Sequence, residues 1–241
     1  MSQTVLITGA AVRVGKALAE LFAFRGYNVI LHCNSNFDAA KVLASGLSEK
    51  YPQALFPVVK ADLSNPIAAA QQLFDTLPEG ISSIDVLINN ASVFEAAQLS
   101  ETPYELYRRQ MVINLDAPFF LMQAFYNRFK SGCIINILDT RVTNHNSSHA
   151  AYAIAKKALM HLTQMAALEW APDVRVNAVA PGPVLPPPGA DNSHLQRVSE
   201  NTPLKSTVSL DNLADSAYFL VSNSSVTGQI IFCDSGAHLI S

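Results

Sequence analysis

Seven short runs of apolar, largely β-branched residues recur along the chain, each followed by a longer stretch or loop before the next run begins. They are Thr4–Thr8, Tyr27–His32, Leu55–Val59, Val86–Ile88, Cys133–Leu138, Val174–Val179 and Gln229–Cys233. Most lack the apolar–polar alternation of a half-exposed strand. Both faces must therefore be buried, as parallel strands require. Helical patterns fall between them at Val14–Phe24, Phe37–Lys50, Ile67–Leu77, Pro103–Phe129, Ala151–Trp170 and Leu210–Ser222. Strand then helix, repeated, predicts an α/β chain: a doubly wound parallel sheet with helices on both faces, in three layers. No internal repeat, low-complexity tract or linker divides the chain, so residues 1–241 are expected to form a single domain.

Composition limits what such a chain binds. With 49% hydrophobic and 15% charged residues it can bury one sizeable core. A net charge of −3 gives no basic field for nucleic acid or an anionic membrane. The first residues, MSQTVLITGA, lack the basic and long apolar regions of a signal peptide. No apolar run approaches the ~20 residues of a membrane helix. The three cysteines, Cys33, Cys133 and Cys233, lie in or beside apolar runs and suit reduced, buried thiols. A cytoplasmic protein is expected. The six histidines and three cysteines show no metal-ligand spacing, so no metal is expected.

The first strand runs into Thr8-Gly9-Ala10-Ala11-Val12-Arg13-Val14-Gly15-Lys16 and then a helix. A small-residue turn there lets backbone N–H groups and the helix N-terminus face a pyrophosphate. Gly9 and Gly15 stand where glycine-only angles and close helix packing are needed, and Arg13 takes the place of the usual middle glycine. Arg13 can pair with phosphate or substrate, or simply sit exposed at the helix start; Val14 follows it along the same turn. The second strand ends at His32-Cys33-Asn34-Ser35 without the acid that selects NAD. His32, Asn34 and Ser35 can donate to a phosphate, so NADPH is favoured over NADH. Asp62-Leu63 closes the third strand, where Asp62 either accepts from an adenine amino group or caps the helix near Pro66. Asn90-Ala91-Ser92, after the fourth strand, can line a cofactor's path without crowding it.

The fifth run ends at Asp139, thirteen positions before Tyr152 in Tyr152-Ala-Ile-Ala-Lys156. Tyr152 and Lys156 stand at i and i+4, on one helix face, and can meet around one substrate atom. A phenol has a reference pKa of about 10, and a nearby ammonium lowers it toward a usable proton donor.

These pieces together resemble the short-chain dehydrogenase/reductase family over essentially the full length. The matching residues are Thr8-Gly9 with Gly15, Asp62-Leu63, Asn89-Asn90-Ala91, Asn114, Tyr152 with Lys156, and Pro181-Gly182. The resemblance implies a Rossmann-type fold, a nicotinamide cofactor, reversible hydride transfer and a homotetramer. It implies that Tyr152 moves the proton, that Lys156 holds the nicotinamide ribose, and that Asn114 anchors a proton-relay water.

Three departures narrow the resemblance: Arg13 replaces a glycine, Asp139 replaces a serine, and Asn90-Ala91-Ser92 replaces Asn-Ala-Gly. With Phe94 they look like the pteridine reductases of this fold. There the pterin lies between the nicotinamide and an aromatic matching Phe94, residues matching Arg13 and Ser92 reach cofactor phosphate and substrate, and Asp139 would work with Tyr152. The chemistry agrees. A pterin C=N bond needs a hydride at carbon and a proton at ring nitrogen, which a carboxyl beside a phenol can serve. Asp139 can instead be a capping acid or one salt-bridged to Arg141, and Phe94 can simply pack. The expected activity is NADPH-dependent reduction of a dihydropterin or dihydrofolate. The alternatives are a reductase of a ketone, quinone or acyl-thioester carbonyl, or a non-catalytic dinucleotide sensor. Residues 181–207, rich in proline and containing His194 and Arg197, are expected to cover the substrate or to form a surface loop.

Overall fold

The computed structural model describes residues 2–185 and 198–240. Strand β1 (Thr4–Ile7) is buried on both faces, as its run of four apolar-flanked residues demands. It pairs in parallel with β2 (Asn28–Cys33) on one side and β4 (Val86–Asn89) on the other. Strands β3 (Val58–Lys60), β5 (Gly132–Ile137), β6 (Val174–Pro181) and β7 (Ile230–Cys233) complete a seven-stranded, wholly parallel sheet in the order β3-β2-β1-β4-β5-β6-β7. The order reverses between β1 and β4, which opens a crevice beyond their carboxyl ends.

Alternate residues of β1 divide the core. Val5 and Ile7 join Leu18 and Phe22 of α1 (Arg13–Phe24), Leu43 of α2 (Phe37–Lys50) and Leu220 of α7 (Leu210–Ser222) on one face. Leu6 points to the other face, with Leu73 of α3 (Pro66–Phe74), Leu121 and Phe125 of α5 (Ala117–Phe129) and Ala166 of α6 (Ala150–Glu169). This is the doubly wound, three-layer arrangement expected from the sequence.

Two elements differ from expectation. The third strand is regular only from Val58: the Leu55 and Pro57 carbonyls accept from the Val29 and Leu31 N–H groups, but Pro57 has no N–H to return. The helix expected over Pro103–Phe129 is α4 (Tyr104–Met111) and α5 joined by a π-helical turn, Val112–Asp116. Pro118 lacks the N–H that would bond Asn114's carbonyl, and the Ala117 N–H reaches back to Val112 instead. Of the expected covering loop, 186–197, with His194 and Arg197, lies outside the described residues.

Candidate active site

The turn after β1 is held from the fourth strand. The Thr8 hydroxyl accepts from the Asn90 and Ala91 N–H groups at 2.9 and 3.0 Å, and the Asn90 amide donates to the carbonyls of Thr8 and Gly9. Gly9 has φ +64°, and a Cβ on Gly15 would lie 2.0 Å from the Gly9 carbonyl oxygen. Helix α1 can approach the turn only because Gly15 has no side chain. Arg13 keeps a left-handed angle, φ +53°, although it is not glycine. The first turn of α1 holds no acid, and Val12 before it provides no side-chain cap. The first turn of α1 thus brings no acid of its own to the crevice.

His32 does not serve as a free phosphate donor. Its Nδ1 accepts from the Gly9 N–H at 3.2 Å and its Nε2 lies 3.1 Å from the Ala61 carbonyl oxygen, so both ring nitrogens are engaged. Burial pushes its pKa down to about 4, against the smaller opposing effect of that carbonyl. The imidazole is a neutral brace for the glycine turn. Asn34 donates to Asp62 at 3.3 Å, and the same Asp62 oxygen caps Ser64 at 2.9 Å. The cap of α3 itself is Asn65, not Asp62. Ser35 lines the crevice beside Asn34.

At the other end, Asp139 and Tyr152 meet. The Tyr152 hydroxyl donates to Asp139 Oδ2 at 3.0 Å, while Asp139 Oδ1 accepts from the Arg141 N–H at 2.8 Å. Asp139 therefore caps the 3₁₀ turn Thr140–Val142 and holds the phenol with its second oxygen. Lys156 is buried, and its Nζ donates to the Ile137 carbonyl at 2.7 Å. The expected lowering of the phenol's pKa by Lys156 is not what this arrangement produces. Burial and the Asp139 carboxylate raise Tyr152 well above its ordinary value, while burial pulls Lys156 down to about 8. Burial first, and the Asp139 carboxylate second, favour the protonated phenol.

Asn114 sits in the π-turn, fully buried. Its Oδ1 accepts from the Ser92 hydroxyl at 2.7 Å and from the Val93 N–H at 3.3 Å, and its Nδ2 donates to the Val93 carbonyl at 2.9 Å. Its side chain braces the loop that carries Phe94. The same loop is tied to α4 by a two-pronged ion pair between Glu95 and Arg109. Ala97 bridges His149 in the manner of adjacent strands, which brings Phe94 flat against the His149 ring at 4.1 Å between centroids. Phe94 meets the Tyr152 ring edge-on at 4.8 Å and stays 48% exposed. His149 thus covers one face of Phe94. No periodicity in the sequence predicts that contact, because it depends on pairing between two loops.

Pro181 and Gly182 end β6 against the C-terminal turn. A Cβ on Gly182 would lie 2.9 Å from Asp234, whose buried carboxylate accepts from Thr140 Oγ1 at 2.7 Å, from the His238 N–H at 2.8 Å and from the Gly236 N–H at 3.0 Å. Cys233-Asp234-Ser235-Gly236 turns with Ser235 at φ +56° and Gly236 at φ +82°. The turn bearing Asp139 is therefore latched to the tail. Sequence reasoning did not single out Thr140 and Asn144, which border the crevice, or His149, which stacks on Phe94.

One crevice of about 780 Å³ runs from Arg13 and Ser35, past Gly9, Leu63, Asn90, Ala91 and Ser92, to Phe94, Asp139, Tyr152 and Lys156; Asp62 and Asn114 do not line it and act through the residues they hold. Among the described residues no group of three His, Cys, Asp or Glu could hold a metal, and no helix is long and apolar enough to cross a membrane. Of the three free cysteines, Cys33 and Cys133 are buried, and burial pushes the Cys133 thiol up to about 11.

A glycine turn at the switch point of a parallel sheet, with an adjacent Tyr–Lys pair on α6, defines an oxidoreductase of short-chain type. The family model described as "Enoyl-(Acyl carrier protein) reductase" matches residues 9–238, and the chain belongs to the short-chain dehydrogenase/reductase family. It is similar to the crystal structure of FolM alternative dihydrofolate reductase 1 from Brucella canis complexed with NADP: 32% identity, TM-score 0.90, covering 98% of this chain and 94% of that one. Pteridine reductase 1 of Leishmania tarentolae is 31% identical over 97% of this chain and 96% of its own length. Galactitol 2-dehydrogenase of Agrobacterium fabrum is 32% identical over 76% of this chain and 71% of its own length.

Proposed function

We propose that the chain is an NADPH-dependent reductase of dihydropterins, dihydrofolate among them. The observation that carries this reading is the Tyr152–Asp139 hydrogen bond at 3.0 Å beside the Phe94 ring. A carbonyl reductase needs only a hydroxyl opposite its substrate oxygen. A carboxylate that holds the phenol's proton suits a ring nitrogen, which must receive a proton or present an N–H. The similar Brucella structure holds NADP, which supports the cofactor.

The crevice fits that cofactor. The uncapped N-terminus of α1 and the narrow turn at Gly9 accept a diphosphate. Asn34 and Ser35 present no acid to a 2′-phosphate. Arg13, at its left-handed angle, provides a fixed charge near the phosphates or the substrate. Lys156, fixed to the Ile137 carbonyl, would hold the ribose side, and Tyr152 would donate the proton from its hydroxyl. Asp139 keeps that O–H oriented, while Ser92 and Phe94 border the substrate. Bound NADPH supplies the hydride. The family resemblance supports a homotetramer in the cytoplasm.

The test is NADPH oxidation by the purified protein against dihydropterins, dihydrofolate, a simple ketone and an activated diketone. Turnover of the reduced pterins above the carbonyl compounds is expected. The reverse order would favour reduction of a carbonyl, the second reading, which similarity to galactitol 2-dehydrogenase supports.

A further inference from the structure

Arg141 takes no part in the proton path above, yet its side chain borders the same crevice. It lies in the short turn after Asp139, where its own N–H is fixed to Asp139 Oδ1 at 2.8 Å. Its guanidinium lies 5.5 Å from the Phe94 centroid. The ion pairs among the described residues are Lys16–Glu20, Arg25–Asp215, Arg109–Glu95 and His238–Asp234. None includes Arg141. The acid next to it in sequence, Asp139, spends one oxygen on a backbone N–H and the other on Tyr152. A planar fork of donors, held by its backbone and an aromatic ring, with no carboxylate ion-paired to it among the described residues, is suited to a carboxylate brought by a ligand. Leu185 and Val198 border the same crevice and give it apolar wall, while Asn144 adds a polar side chain.

We propose that Arg141 is a specificity-determining residue that binds an acidic substituent carried on an apolar stem of the substrate. The inference deepens the pterin reading and rests on it: it selects reduced pterins bearing a carboxylate over those bearing only hydroxyl groups. The ligand's carboxylate replaces water around the guanidinium, and Leu185 and Val198 cover the stem.

The experiment compares dihydrofolate, which carries glutamate carboxylates, with dihydrobiopterin, which carries none, using the whole protein and NADPH. Wild type, Arg141→Gln and Arg141→Lys are measured, and thermal unfolding checks that the variants fold. The ratio of kcat/KM for dihydrofolate to that for dihydrobiopterin should fall about tenfold or more in Arg141→Gln, through KM for dihydrofolate. Arg141→Lys should recover part of it, because charge returns without the fork. The wild-type ratio should also fall with added salt. An unchanged ratio in Arg141→Gln overturns the proposal, as does an equal loss of kcat on both substrates with a shifted pH profile, which would place Arg141's effect on Tyr152. Dihydrobiopterin turnover without dihydrofolate turnover in the wild type would overturn the proposal and leave the pterin reading standing. Turnover of neither would remove both.

Discussion

Asp139 performs two tasks with two oxygens, capping a 3₁₀ turn and holding a phenol, and a substitution can separate them. Asp139→Ser can still cap but cannot hold a pterin nitrogen with an ionic acceptor. Dihydropterin reduction should fall by ~10²-fold while activity on an activated diketone survives. Equal losses on both substrates would make Asp139 structural. Tyr152→Phe should keep NADPH binding, followed by cofactor fluorescence, and lose at least ~10²-fold in turnover; near-normal turnover would sink the proton-donor role. His32 makes a different prediction. Its pKa is about 4 when folded and 6.5 as a free side chain, so between these values the unfolded chain binds more protons. Stability should fall as pH drops from 6.5 to 4, by on the order of 3 kcal/mol from this residue alone. Urea unfolding at both ends of that window should show a clearly smaller fall for His32→Gln, whose amide can accept from Gly9 and donate to Ala61. An identical fall would refute the buried neutral brace.

At the scale of elements, the site is an assembly of loops fixed by a few buried polar groups. Asp234 joins the C-terminal turn to the turn after β5 through Thr140. Thr140→Val leaves a buried carboxylate oxygen with one donor fewer, which costs about 1–3 kcal/mol. The melting temperature should drop by several degrees, and dihydropterin turnover should fall with it because Asp139 precedes Thr140. A variant with unchanged melting behaviour would show that the latch contributes nothing. The interrupted helix between Tyr104 and Phe129 follows the same logic: Pro118 breaks the α-helical pattern, and the resulting π-turn places Asn114 under the Phe94 loop. Pro118 lies inside the stretch expected as one helix, Pro103–Phe129, and the sequence reading did not break it there. The consequence for Asn114 was not legible either, because the loop Asn114 supports lies some twenty residues earlier in the chain.

Across the whole molecule, α6 buries one side against the sheet and leaves Ile154, Met165 and Leu168 outside, the last two 67% and 85% exposed. Their spacing puts them on one helix face. If the chain forms the homotetramer proposed above, this face is a natural place for a copy to pack. Sedimentation equilibrium should give four times the chain mass, and the double substitution Met165→Glu, Leu168→Glu should reduce the assembly by placing charge in the contact. A monomeric wild type would contradict the tetramer.

The fold and the ends of the site were legible in the chain because they rest on local regularities. Apolar runs such as Val86–Ile88 declare strands buried on both faces, the gapped glycines at Gly9 and Gly15 declare a tight turn before a helix, and Tyr152 and Lys156 share a helix face by their spacing alone. What a side chain does once there was decided by its neighbours. His32 looked like a phosphate donor, but Gly9 and Ala61 take both its nitrogens. Lys156 was expected to acidify Tyr152, yet burial and Asp139 set that phenol's proton affinity. The Phe94–His149 stack and the Asp234–Thr140 bond join residues far apart in sequence, so no window of sequence contains them. Strand and helix periodicity is carried by the chain's own backbone geometry, whereas hydrogen-bond partners and dielectric exist only after packing has brought distant segments together.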